Sequence, residues 1–530
     1  MSEFGLVEST DFYTISNGSN LTFKVRKTDN GSHSQSIGDI ASLNYKGVEY
    51  QDQSRGSQIN SGFDYLYKDT NKVIIDAKVV SDSHIKITVQ AGNLTHYYLC
   101  QENDDSIYMG TVIDSEPETQ AQLRYIVRSL VSKLPDGPTP SDIRNNTGAI
   151  ESGDIFGLEN GETRSKHYSN IRLCDWTHIG ATGNDVGLWV VRGNSEGMSG
   201  GPFYRCLLNQ CGNTDQEVTY MINYGMSQTE GYRFGILNEY ALVFTDGSEP
   251  GSIDTSWFSG LNLKGWVSPD SRGTVSGTVR AVLKSSYSYR VGLSNSNAQY
   301  WTDVDISDNS FMCGNILPGN YTVKLYKNEL EILTTTVAIT AGNSTTLNLS
   351  GSVNDPSDDV ALWRIGDWDG TPTGLLNANK VTYMHPSDTR ISTWAPGIFS
   401  VGESEAEISF PAYQWQDINN SQQIKFTLTE DEVYDYTLRI GITVAYAGAR
   451  PSIILNEWKG TQSSKTQPDS RSLTVGTYRG NNQSFQFAVP SSALVVGDNT
   501  ITINVSSGSA GDDWLSPSYA FDAIDFIKSN

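Results

Sequence analysis

A chain of 530 residues exceeds what one hydrophobic core organises, so two to four domains are expected. A formal net charge of -23 argues against nucleic acid or anionic membrane as partners of the surface at large, and no apolar run is long enough to span a bilayer. A polyanionic ligand would meet the same repulsion unless a local cluster of cations received it.

The first residues, Met1-Ser-Glu-Phe4, have neither the basic start nor the apolar run of a secretory leader. Beyond them the chain reads as strand after strand. Leu21, Phe23 and Val25 alternate with polar residues, as do Ile85, Ile87 and Val89, which is the period of half-buried antiparallel strands. Asn17-Gly18, Asn30-Gly31 and Asp136-Gly137 supply turns, and no long helical stripe interrupts. An all-β fold follows, with a large β-sandwich over 1–262. The pattern changes near Gly260–Gly265. A compact block over 263–350, with the turn Leu317-Pro-Gly-Asn-Tyr321 between apolar strands, suits a small fibronectin type III-like sandwich. After the Ser/Asp/Pro-rich stretch from Gly351 to Asp358, alternation returns in Ile424–Leu428 and Ile501–Val505. Residues 351–530 read as a jelly-roll of carbohydrate-binding-module form, in which Trp363, Trp368 and Trp415 are either sugar-stacking platforms or core.

Eleven Asn-X-Ser/Thr sequons, at Asn17, Asn20, Asn30, Asn93, Asn145, Asn320, Asn343, Asn348, Asn419, Asn482 and Asn504, point to a secreted, extracellular glycoprotein. Of five cysteines, Cys206 and Cys211 flank a short Leu-Leu-Asn-Gln turn and could close a loop; buried thiols are the equal alternative. No cysteine–histidine spacing suits zinc. Asp367, Asp369 and Asp522 could hold a structural calcium, although solvated turn aspartates are the plainer reading. Gly197-Met-Ser-Gly-Gly-Pro202 fits the nucleophile pattern of serine hydrolases, but the helix and the histidine setting that chemistry needs are missing from the sequence.

Longer motifs are more specific. Gly161-Glu-Thr-Arg-Ser-Lys-His-Tyr-Ser169, Ser199-Gly-Gly-Pro-Phe203, Gln228-Thr-Glu-Gly-Tyr-Arg233, Ser252-Ile-Asp-Thr-Ser-Trp-Phe258, Ile365-Gly-Asp-Trp-Asp-Gly-Thr-Pro-Thr-Gly374, Met384-His-Pro-Ser-Asp388 and Leu515-Ser-Pro517 occur in order along almost the whole chain. In these the sequence resembles the fungal rhamnogalacturonan lyases, polysaccharide lyase family 4. The resemblance implies three β domains and β-elimination at galacturonate in the rhamnogalacturonan I backbone of pectin, with no cofactor required. A monomer is expected.

That chemistry needs a group to neutralise the uronate carboxylate, a base for the C5 proton, and an acid for the departing O4. Lys166 matches the family's catalytic lysine; a solvated lysine is the plain alternative. Arg164, two residues earlier, shares its face if the segment is extended, and could hold a carboxylate. Arg124 and Arg128 match family arginines that contact substrate. They share one face of a regular strand, and guanidinium groups fork onto carboxylates.

The departure lies at Met226, where the family has a catalytic histidine and this chain reads Asn223-Tyr-Gly-Met-Ser-Gln-Thr-Glu230. Family tyrosines nearby are replaced around Thr219 and Met221. Methionine exchanges no proton. Tyr224, His178 and His167 are therefore candidate replacements for the lost acid–base group, each with an ordinary packing role as the alternative. Two other outcomes stand beside replacement: a site remodelled for another uronate polymer, or a protein that binds polysaccharide without cleaving it.

Overall fold

The computed structural model describes residues 3–67, 72–118, 122–223, 231–350, 353–463, 473–477 and 482–529. Strands dominate throughout, and the single α-helix among the described residues, Ala406–Ser409, is one turn long.

The N-terminal part is a sandwich. Its larger sheet has seven antiparallel strands in the order His178–Gly183, Val186–Arg192, Asn238–Thr245, Ser106–Ile113, Leu94–Gln101, His84–Ala91 and Val73–Ser81. The facing sheet runs Ile171–Arg172, Arg205–Cys211, Asp215–Asn223, Leu123–Leu130, Gln58–Ile59. Aromatic side chains fill the space between them. Tyr125 of the smaller sheet reaches Tyr98 of the larger, hydroxyl to hydroxyl at 3.3 Å, and stacks on His96 at 5.5 Å. Tyr220 meets Tyr240 at 4.9 Å. Burial pushes the His96 imidazole down to about 3, so it packs as a neutral ring bonded to Thr111. The alternating residues at 21, 23, 25, 85, 87 and 89 all point into this core, as their spacing predicts. A further five-stranded antiparallel sheet, Gly5–Glu49, packs onto the same core.

The second body has sheets of three and four strands between Gly273 and Thr346, around a core of its own. The third pairs two five-stranded sheets over a third core. Its tryptophans settle one alternative. Trp363, Trp368 and Trp415 are 7%, 2% and 0% exposed, so all three are packing residues rather than sugar platforms. Fully burying such a side chain contributes roughly 1.5–3 kcal/mol.

Polar contacts join the three bodies. Arg272 forks onto Glu196 at 2.7 and 2.9 Å between the first and second. Glu329 and Leu330 donate backbone N–H groups to Asp369 O between the second and third. The first and third meet through Met384–Asp388. Thr163 donates its N–H and its hydroxyl to Asp388 Oδ2 at 2.6 and 2.7 Å. His385 Nε2 lies 3.0 Å from Glu151 Oε2, and Tyr168 donates to Thr474 O at 2.7 Å.

Several expectations change. Cys206 and Cys211 lie within one strand, Arg205–Cys211, so Leu-Leu-Asn-Gln is extended and not a turn. At about 3.3 Å per residue the two are too far apart for a disulfide, and all five cysteines are free. Asn17 and Asn419 are buried, with side-chain amides already donating to Asp104 O and Asp105, and to Trp394 O and Tyr413 O. Neither amide can carry a glycan in this fold. Asn30, Asn93, Asn320 and Asn343 are exposed.

Candidate active site

The smaller sheet of the N-terminal sandwich gathers the matched residues. In Leu123–Leu130, Tyr125 and Val127 enter the core, which turns Arg124, Ile126 and Arg128 to the opposite face. Cross-strand partners extend that face: Arg124 opposes Met221, Ile126 opposes Thr219, and Arg128 opposes Glu217.

The two arginines are not equivalent. Arg128 is buried: its Nη1 donates to Gly56 O at 2.9 Å, and its Nε lies 3.4 Å from Glu217 Oε2. Arg55 pairs with the same Glu217 and with Asp215, so two carboxylates and two guanidinium groups form one network. Arg128 is thus engaged within the sheet by Glu217 and the Gly56 carbonyl. The Arg124 side chain is half-buried and makes no hydrogen bond or ion pair among the described residues. It is the cation this face offers.

Lys166 sits at the far edge of the same sheet. A small antiparallel sheet, Gly148–Glu151, Ile155–Gly157, Thr163–Ser165, leads into it. At Ser165 the chain leaves extended geometry for a short 3-10 turn, Lys166–Ser169, whose first free N–H, that of His167, is capped by the Ser165 hydroxyl. The turn docks beside the Arg205–Cys211 strand: Ser169 Oγ donates to Asn209 O and accepts from Asn209 N. Because Ile155 opposes Ser165, Asp154 falls next to Lys166, and the two pair at 2.7 Å. A hydrogen bond from His167, then one from Lys166, hold the Asp154 carboxyl well below its usual range. Sequence reading missed Asp154, because only the hairpin register brings it there.

The remaining candidates part from this group. Arg164 is buried and bonded to Glu162 at 2.6 Å and to Thr163 O at 3.0 Å. The break in geometry at Ser165 removes the shared face expected from its spacing. His178 lies on the edge strand of the other sheet, between Trp176 and Trp189, where burial lowers its pKa. It shares no contact with Lys166. Tyr224 and Met226 lie outside the described residues. Thr219 and Met221 are both buried, one with a short side chain and one with an apolar one. The Ser199 hydroxyl is engaged by Asn223 Oδ1 at 3.1 Å and Gly231 O at 2.8 Å, with no histidine in its hydrogen bonds, so the hydrolase pattern has a structural use.

Two members of the acidic trio of the third body, Asp369 and Asp522, are buried and hydrogen-bonded. Asp369 accepts from Thr371 N, Thr371 Oγ1 and Asn328 Nδ2, and Asp522 Oδ1 accepts from two backbone N–H groups. Burial pushes both carboxyls up, toward the uncharged form. Asp369 and Asp522 are therefore not solvated turn residues, whereas Asp367 is exposed. Among the described residues no group of three or more His, Cys, Asp or Glu is arranged to hold a metal.

Known sequences align with the whole of this architecture. Residues 4–265 match the family model described as rhamnogalacturonan lyase B, N-terminal. Residues 271–347 and 361–526 match polysaccharide lyase family 4 domains II and III. A probable rhamnogalacturonate lyase A of Aspergillus terreus is 39% identical over 97% of this chain and 94% of its own. The rhamnogalacturonate lyases A of Emericella nidulans and Aspergillus aculeatus are each 38% identical, over 99% of this chain and 96% of theirs. The chain belongs to polysaccharide lyase family 4. In this chain Arg128 is bound by a carboxylate, Asp154 pairs with Lys166, and Thr219 and Met221 stand opposite Ile126 and Arg124.

Proposed function

We propose that the protein cleaves the rhamnogalacturonan I backbone of pectin by β-elimination at galacturonate. Full-length kinship to rhamnogalacturonate lyases supports the reaction class. The observation that carries the site assignment is Arg124, whose side chain has no partner among the described residues, on the sheet against which the Lys166–Ser169 turn docks.

In this reading Arg124 receives the uronate carboxylate and makes the C5 proton acidic. Lys166, having released its proton to solvent and left its pairing with Asp154, takes the C5 proton as the neutral amine. The electron pair of the C5–H bond forms the C4–C5 double bond, the C4–O4 bond breaks, and O4 leaves with a proton. Tyr224 is the nearest sequence candidate for that donor. This substrate class calls for an extracellular protein, and the exposed sequons support that reading.

A second reading has its own support. With methionine at 226, and with Arg128 neutralised by Glu217, the face can hold polysaccharide while lacking turnover. Ultraviolet absorbance during incubation with rhamnogalacturonan I, with polygalacturonan as control, separates the two. Elimination generates a conjugated, absorbing uronate end. A rise abolished by Lys166→Ala establishes the lyase. Binding without a rise on either polymer establishes the non-cleaving protein.

A further inference from the structure

A cavity of about 630 Å³ opens beside the junction of the first and third bodies, lined by Trp176, Trp189 and Tyr383, and by none of Lys166, Arg124 or Arg128. We propose that this cleft is a second carbohydrate site, for an uncharged pyranose oligosaccharide. The proposal does not depend on the lyase reading.

The walls are built to present ring faces. Trp189 opposes Gly180 across the edge of the seven-stranded sheet, with Gly187 two residues before it on the same strand. A Cβ at Gly180 would lie 2.7 Å from Trp189 Cε3, and one at Gly187 would lie 2.4 Å from Trp189 Nε1. The indole therefore lies along the strands, over ground that two side chains would otherwise occupy. Its N–H is tied to Thr245 Oγ1 at 3.1 Å, which fixes the ring. His178 packs edge-on against Trp189 at 5.5 Å and against Trp176 at 5.4 Å, bracing both.

Trp176 and Tyr383 are 41% and 40% exposed, so neither ring is used as core. Convergent exposed aromatic rings around a cavity of this size match small-ligand sites, which run from roughly 300 to 1,000 Å³. One face of a pyranose presents C–H bonds, which lie well on the electron-rich face of an indole or phenol.

Charge selects the ligand. Asp136, Asp175 and Glu249 line the cleft against only Arg172 and Arg205. Arg172 already forks onto Asp175 at 2.6 and 3.0 Å and reaches Glu329 at 2.7 Å. Arg205 donates to the Gly476 carbonyl at 2.8 Å. A uronate would meet surplus acid here, whereas a neutral sugar meets hydrogen-bonding groups around a stacking floor.

The test titrates the full chain with galactotetraose and, separately, with tetragalacturonate, followed by calorimetry and tryptophan fluorescence. Galactotetraose is expected to bind and shift the fluorescence. The Trp176→Ala/Tyr383→Ala double variant, whose two side chains lie on the surface, should bind it at least about tenfold more weakly. Trp176→Phe, which keeps a ring, should recover part of that loss, and Lys166→Ala should bind as wild type. No binding of galactotetraose, or binding undiminished in the double variant, overturns the proposal. An equal loss of tetragalacturonate affinity in the double variant also overturns it, because the cleft would then belong to a uronate groove.

Discussion

Asp388→Asn tests whether the third body holds the segment that carries Lys166. Asp388 is buried and accepts five hydrogen bonds: two from Thr163, and three from Arg390 through its N–H, Nε and Nη2. Burial alone would raise its pKa. The bonds from Arg390 and Thr163 outweigh that and bring it from 3.8 to about 2. A folded-state value below the unfolded one adds stability above about pH 4, which is lost as pH falls toward 2. Roughly two units correspond to about 2.5 kcal/mol; because Arg390 is partly solvated, about 1–2.5 kcal/mol is the working range. The asparagine keeps the shape, loses the charge, and turns one acceptor into a donor. Thermal unfolding of the transition that includes the third body should fall by about 2–10 °C at pH 7. The difference should shrink toward zero as the wild-type carboxyl protonates near pH 2. Activity should fall with the loosening of Thr163–Lys166. Equal melting at pH 7, or a gap that persists at pH 2, refutes the reasoning.

The two arginines should separate by assay. Arg124→Ala should lower kcat/KM on rhamnogalacturonan I roughly 10- to 100-fold with little change in melting, the loss of one charge-assisted contact. Arg128→Ala should instead cost about 2–3 kcal/mol in unfolding, because it strips Glu217 of a partner. If the fold works as a lyase short of its histidine, Met226→His should raise kcat by about 10²–10⁴, and an unchanged rate would show that another group already serves. Glu239 is buried beside the first junction, and burial pushes its carboxyl to about 7 from 4.5. Its folded pKa is raised, so folding is penalised progressively as pH rises from 4.5 to 7. Glu239→Gln should then stabilise by about 1–3 kcal/mol at pH 8 and do nothing near pH 4, read by denaturant unfolding. Peptide mass spectrometry of protein secreted from a glycosylating host should find sugar at Asn30, Asn93, Asn320 or Asn343, and none at Asn17 or Asn419.

Period-2 alternation, the turn pairs and the long motifs by themselves determined an all-β chain and its family. Strand burial is a local property: Leu21, Phe23 and Val25 must share a face whatever they pack against. Lys166, Arg124 and Arg128 were legible as candidates because motifs preserve residue identity. Their states were not. Whether Arg128 is free depends on Glu217, 89 positions away and directly opposite only after two strands pair. Whether Arg164 shares a face with Lys166 depends on where a strand becomes a 3-10 turn. Trp363, Trp368 and Trp415 are equally suited to core or sugar by sequence alone, and nothing local distinguishes Trp176 and Trp189 from them. Exposure of a tryptophan follows from what other segments cover, and a flat indole platform needs glycines on two strands at once. Those are long-range facts, set by register and domain contact, and only the tertiary structure decided them.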